Sequence, residues 1–378
     1  MTLMDSSRYI VIGAGLMGAA TAWQLAGAGH EVTVLESVTP AHDRGSSHGS
    51  ARIFRYAYEN PEYVRLVQQA RGGWSEVEAA GGSRLIDDCG AVDHGAHRVP
   101  GRLAAVLEEA GVDHELLNQA EATDRWPMLT FETAALWHPD AGVLDSELAV
   151  TTMLRLALTE GAELRQGWEA ARIERSGRGF VVTSTTGEAL HAAGVIVCAG
   201  GWLPDLLADL PVPASMRPQR ADLTVRQEQV YHFPYREEIA PAADWPTVIH
   251  LFEEMDVYAL PGGRDAGFRG QKVSQFNGGP VIRSAAHQDG LMDPVNRQRV
   301  VDYVSRYLPG VEPEPYAEST CLFTSTPSED FILDSHEGLT LVSACSGHGA
   351  KFAPLIGEFA AGLATGAAAV PEMFRVFR

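Results

Sequence analysis

Apolar side chains run almost unbroken from Tyr9 to Ile12, stop at Gly13, and resume beyond Gly15 as a longer run of small and apolar residues reaching Leu25. The first run is short and β-rich and predicts a strand over 8–13. The second predicts an apolar helix over 15–29. Another β-rich run, 31–36, follows the helix, so the chain opens as a βαβ unit.

Residues 37–60 carry glycine, serine, histidine and arginine with no periodicity, which predicts a long loop laid along a ligand. Asn60 and Pro61 then form the cap and first turn of a helix reaching about residue 81. The stretch 84–145 mixes short strands with a helix starting at Pro100, and Asp145 caps a stronger helix that ends at Gly161. Residues 169–174 and 180–185 pattern as paired strands, and the turn Thr186-Gly187 leads to an apolar strand, 194–199, that ends in Gly200-Gly201. From 221 to 317 long alternating strands dominate, 222–233 among them, with one helix over 294–308. The tail supplies strands at 331–334 and 339–344, a Ser346-Gly347-His348-Gly349 turn and a last helix to about 363. The expected fold is α/β and two-lobed. One lobe is a dinucleotide-binding βαβ domain built from 1–84, 146–216 and 318–378; the other is an antiparallel-sheet substrate domain from 85–145 and 217–317.

Charge narrows the function classes. A net charge of −20 repels nucleic acid and anionic membrane, leaving a small-molecule partner as the expectation. No apolar stretch is long enough to span a bilayer. Residues 1–8 lack the basic and apolar regions of a secretory signal, so a soluble cytoplasmic protein is expected. Cys89, Cys198, Cys321 and Cys345 have no metal-ligand spacing and read as small core residues from the sequence alone. Of the 29 lysines and arginines only Lys272 and Lys351 are lysine, which singles out two positions where a compact ammonium is needed in place of a planar guanidinium.

Gly13-Ala14-Gly15-Leu16-Met17-Gly18 sits between strand and helix, and Glu36 closes the second strand. Gly13 permits the turn, Gly15 lets a pyrophosphate reach the N–H groups of the helix N-terminus, and Glu36 can accept from ribose hydroxyls. The motif does not separate FAD from NAD. Arg52 and Arg55 stand three apart, which fits either one helical face or, in so irregular a loop, anion binding.

Gly45-Ser46-Ser47-His48-Gly49, Arg52-Ile53-Phe54-Arg55, Cys321-Leu322-Phe323-Thr324 and Gly347-His348-Gly349-Ala350-Lys351-Phe352 follow the glycine motif in order. With it they make the chain, from residue 8 to about 365, resemble the monomeric sarcosine oxidase family, which includes N-methyltryptophan and pipecolate oxidases. The resemblance implies a glutathione reductase-like FAD domain, a monomer, and FAD bound covalently through a thioether at Cys321. It implies that His48 and Arg52 face the flavin, that Arg55 and Lys351 hold the substrate carboxylate, that Lys272 activates dioxygen and that Tyr258 lines the pocket. It also implies that the turn of Gly347, His348 and Gly349 faces the flavin. Phe276 and Phe323 stand where sarcosine oxidases carry a histidine and a tyrosine, which implies a bulkier or more hydrophobic secondary or cyclic amino acid than sarcosine. The expected reaction is hydride transfer to flavin, with an imine product and dioxygen reduced to hydrogen peroxide. A dehydrogenase with another electron acceptor and a flavin-binding partner without turnover are the alternatives.

Overall fold

The computed structural model of the protein describes residues 6–216, 223–238 and 245–377. β1 (Ser6–Ile12) lies between β2 (Val32–Glu36) and the strand Ala189–Val197 and runs parallel to both, with α1 (Leu16–Gly27) as the crossover. Glu163–Gln166 extends this sheet beyond β2, and Leu339–Ser343 joins Ala189–Val197 in parallel; with three more strands the sheet has eight. Strands covered by helices on a parallel sheet become continuous apolar runs, and β2 is buried at all five positions. The covering helices are α1, Pro61–Gly81, Ser146–Thr159 and Ala353–Thr365, whose apolar faces share one core with the sheet.

A second, nine-stranded sheet is built around Thr224–Pro234, which pairs antiparallel with Ala317–Ser325 on one edge and with Gly270–Gln275 and Val281–Ile282 on the other. Its pairs are antiparallel except for Thr247–Leu251 beside Ala91–His94. Trp245, Tyr231, Phe233 and Tyr303 fill the core between this sheet and the helix Pro294–Tyr307. Two sheet-based lobes are therefore present, but their expected bounds shift: Ala317–Ser325 belongs to the second sheet, because its partner strand is Thr224–Pro234, and Leu103 and Leu107 pack into the core of the first.

Local chemistry sets the boundaries. Asn60 accepts from the Glu62 N–H and Gly82 ends that helix at φ +69; Asp145 accepts from the Leu148 N–H, and Asp293 from the Val295 N–H. Two expectations need correction. The loop 37–60 contains a short strand, Arg52–Phe54, held by pairing with Gly142–Leu144, and the region 84–145 contains an additional helix, Gln119–Arg125, started by a capping box of Asn118 and Glu121. The expected strand start at Asp222 lies outside the described residues. Among the described residues no helix is long and apolar enough to cross a membrane.

Candidate active site

β1 ends because Gly13 turns the chain at φ +99, where a Cβ would meet the Cys198 carbonyl oxygen at 2.5 Å. Gly18 packs on that turn so closely that a Cβ would lie 1.8 Å from the Gly13 carbonyl oxygen. Ser47 reaches the same place from the following loop, its Oγ accepting from the Leu16 N–H at 3.0 Å. Glu36 accepts from the Ala14 N–H at 2.9 Å and the Val38 N–H at 3.0 Å. Burial pushes its carboxyl up, but His42 and these N–H groups more than offset that and hold it below the usual range. Gly13, Gly15, Glu36, Ser46 and Ser47 line one long cleft that continues to Cys321, Gly347 and Gly349.

At the far end of the cleft, Arg52 donates to the carbonyls of Ser46 and His48, at 3.1 and 2.7 Å, and stands 3.6 Å from the Cys321 sulfur. Burial alone would raise the Cys321 thiol; Arg52, His48 and Lys272 together bring it down to about 6, a thiolate at neutral pH. His48 lies beside the sulfur and favours the thiolate, and among the described residues its buried Nε2 has no hydrogen-bond partner within bonding distance.

Arg52, Cys321, Phe323, Gly347 and Ala350 also line a second cavity, of about 620 Å³, so cleft and chamber meet along these residues. Arg55, Lys351, Lys272, Tyr258, Phe276 and Phe323 all face this chamber. Arg55 donates to the Ala57 carbonyl and lies 4.5 Å over the Tyr58 ring, whose hydroxyl accepts from Lys351 Nζ at 2.9 Å. Trp74, from the helix Pro61–Gly81, fixes the Lys351 backbone by donating to its carbonyl at 2.7 Å. Burial, with Arg55 adding to it, holds the Lys351 ammonium well below the ordinary lysine range. Lys272 Nζ donates to the Ala51 carbonyl at 2.9 Å, and burial followed by the charge of Arg52 lowers it to about 7. The chamber thus offers a half-buried guanidinium, Arg55, and a buried amine, Lys351, that a carboxylate would satisfy, beside an apolar wall.

The family model described as FAD dependent oxidoreductase, DAO, matches residues 8–363. The chain belongs to this family. It is 33% identical over 377 residues to the monomeric sarcosine oxidase of Streptomyces avermitilis, covering 96% of this chain and 94% of that one. It is 31% identical over 368 residues to the N-methyl-L-tryptophan oxidase of Yersinia pestis, covering 93% of each. Among solved structures it superposes on NikD, described as an unusual amino acid oxidase essential for nikkomycin biosynthesis, with a TM-score of 0.86 at 23% identity over 99% of this chain and 98% of that one. Glycine oxidase from Geobacillus kaustophilus gives a TM-score of 0.81 at 18% identity over 99% of each chain. The protein is a DAO-family oxidoreductase acting on CH–NH bonds, and the family is FAD-dependent.

The cleft of this DAO-family chain fits that cofactor on its own geometry: a glycine turn with no room for a Cβ at a helix N-terminus, a carboxylate tied to the turn, and a thiolate among cations where the cleft opens into the chamber. The last helix begins at Ala353, with Lys351 in the short 3₁₀ turn Ala350–Phe352 before it. Three expectations are refined. Cys198 and Cys345 are half-buried on the cleft wall, and Cys198 also packs against the main core. His348 faces the chamber, its ring bonded to the Tyr58 hydroxyl at 3.1 Å and to the Glu329 carbonyl at 3.0 Å. Arg52 and Arg55 do not share a helical face: Arg52 lies on a strand where cleft and chamber meet, and Arg55 just past that strand on the chamber wall. The sequence reading missed Tyr58 and Arg98 on the chamber wall, and Asp93, His138 and Glu228 behind it. For Asp93 and His138 the signal is a charged or imidazole side chain inside an otherwise apolar strand run, as in Ala91-Val92-Asp93-His94 and Ala135-Leu136-Trp137-His138.

Proposed function

We propose that the protein oxidises a secondary or cyclic amino acid with an apolar side chain, using FAD attached covalently to Cys321 and dioxygen as final acceptor. The observation that supports this most is the convergence of Arg55 and Lys351, from distant segments, on one chamber that shares a wall with the thiolate end of the cleft. When bound, FAD accepts a hydride and passes two electrons to dioxygen, giving an imine and hydrogen peroxide. Gly13, Gly15, Gly18, Glu36, Ser46, Ser47, Arg52 and the turn Gly347 to Gly349 would hold it, with His48 beside the sulfur.

In this reading Arg55 and Lys351 bind the substrate carboxylate. Burial and the neighbouring Arg55 disfavour the Lys351 ammonium in the empty chamber, and an arriving carboxylate favours it. Phe276 and Phe323, with ring centroids 5.6 Å apart, and Tyr258 exclude water and leave room for an apolar substituent. Lys272 places a positive charge where superoxide develops from dioxygen. Anaerobic mixing with N-methyl and cyclic amino acids should bleach the oxidised flavin band. Arg55→Met and Lys351→Met should each weaken this roughly 30- to 1000-fold, equivalent to about 2 to 4 kcal/mol of charged hydrogen bonding, while a decarboxylated amine loses little. Full-strength carboxylate binding in both variants would sink the amino-acid reading.

A further inference from the structure

Behind the chamber wall lies a second layer of charge. Asp93, on the strand Ala91–His94, is fully buried. Its Oδ1 accepts from Arg98 Nε at 2.6 Å, and its Oδ2 pairs with Nε2 of His138, also fully buried, at 3.0 Å. His138 comes from the neighbouring strand Ala135–His138, and among the described residues its Nδ1 has no hydrogen-bond partner. Arg98 lines the chamber and donates Nη2 to the Ala57 carbonyl at 2.8 Å. The same carbonyl accepts from Arg55. Two guanidinium groups therefore meet on one backbone oxygen, and one of them is tied to a buried carboxylate.

We propose that Asp93 and His138 are positioning residues for substrate binding: they fix Arg98, Arg98 fixes the Ala57 carbonyl, and that carbonyl orients Arg55 toward the substrate carboxylate. The inference rests on the reading of Arg55 as a carboxylate ligand. A planar fork grips Asp93 and Ala57 through Nε and Nη2 held at a fixed spacing and orientation, which the rotatable ammonium of lysine does not impose. The bond to Asp93 is short, charge-assisted and buried, so it restrains Arg98 far better than a solvated pair would. Arg55 is a long side chain with a backbone carbonyl and an aromatic face as its neighbours, so its direction depends on where that carbonyl stands.

Coulombic and positioning roles predict opposite signs. Removing the negative charge of Asp93 makes the chamber more positive, which by itself would tighten an anion; losing the alignment of Arg55 would loosen it. The test titrates the flavin absorbance of flavin-loaded enzyme with benzoate and, as an uncharged control, benzamide. Asp93→Asn and Arg98→Lys should each weaken benzoate roughly ten- to a hundredfold, the scale of a small misplacement, with benzamide little changed. His138→Gln, which keeps a donor for Asp93, should bind benzoate more tightly than His138→Leu. A merely structural network would lower the melting temperature and leave the benzoate-to-benzamide ratio at the wild-type value, which overturns the proposal, as does tighter benzoate binding in Asp93→Asn. Arg98→Lys keeps the charge beside Asp93, so it carries the test if Asp93→Asn does not hold flavin. Arg55→Met separates the two layers. If it binds benzoate like wild type, the carboxylate reading itself fails; if it alone loses benzoate, only the positioning inference fails.

Discussion

Cys321 and Glu228 stand directly opposite each other on paired antiparallel strands, so their side chains share one face of the sheet. One is a thiolate gathered among cations. The other is a fully buried carboxyl whose Oε2 accepts from the N–H groups of Gly278 and Gly279 at 3.1 and 3.4 Å and whose Oε1 has no hydrogen-bond partner among the described residues. Burial raises Glu228 from about 4.5 to about 7, with the Cys321 charge adding a smaller push and Arg226 and the two N–H groups opposing. A carboxyl raised in the folded state contributes stability that is complete below its unfolded pKa and is lost as pH rises through the folded one. Glu228→Gln should therefore melt higher than wild type above about pH 7, with the gap closing toward about pH 4.5, as thermal scans across that window would report. Lys272 is the second residue-scale case. Lys272→Met should slow flavin reoxidation about 10²- to 10³-fold while leaving anaerobic reduction much less changed, as stopped-flow traces of the two half-reactions would separate. Equal slowing of both would place its role in substrate handling instead.

At the scale of elements, the glycine turn welds β1 to α1. Gly18 has no steric room: a Cβ would sit 1.8 Å from one backbone oxygen and 3.4 Å from the Val11 side chain. Backbone cannot step aside as a flexible side chain can, so Gly18→Ala should lift the helix N-terminus off the turn. The expected cost is about 1–3 kcal/mol, the usual scale of overpacking, together with weakened flavin retention. Melting temperature and flavin content per chain measure the two effects, and an alanine variant with wild-type values for both would show that α1 shifts freely. The helix Pro61–Gly81 does comparable work from the other side, since Trp74 ties down the carbonyl of Lys351 across 277 residues of sequence.

Across the whole molecule, the chamber wall is shared between the lobes and the nine-stranded sheet carries its own acid sensitivity. His94 and His250 are partners on the parallel pair of strands and stack at 4.0 Å, with His250 bonded to the Tyr303 hydroxyl at 3.1 Å. Burial first, then the charge of His250, holds His94 well below 6.5, and burial lowers His250 to about 4. Groups depressed in the folded state contribute stability that is present above the unfolded pKa and is lost as pH falls toward the folded one. Stability should thus decline between about pH 6.5 and pH 4, and a His94→Phe, His250→Phe double variant should lose less over that window in melting experiments. A parallel decline in both proteins would assign the acid sensitivity to other groups.

The hydrophobic pattern and a few special residues determined the elements by themselves. Short β-rich runs specified β1 and β2, Asn60, Asp145 and Asp293 specified helix starts, and the glycines of residues 13–18 specified the turn, because each of these signals is satisfied within a few residues of sequence. The order of motifs was also enough to suggest which arginines, lysines and cysteine belong to one site. Tertiary structure decided what those residues meet. Arg52–Phe54 is a strand only because Gly142–Leu144 arrives beside it, Glu228 opposes Cys321 only through the register of two strands far apart in sequence, and Asp93 finds Arg98, His138 and indirectly Arg55 only where a strand, a loop and a neighbouring strand converge. A buried charge can be recognised in sequence as an oddity within an apolar run. Its partner cannot, since the cost of burying it is offset by groups whose proximity exists only in the folded chain.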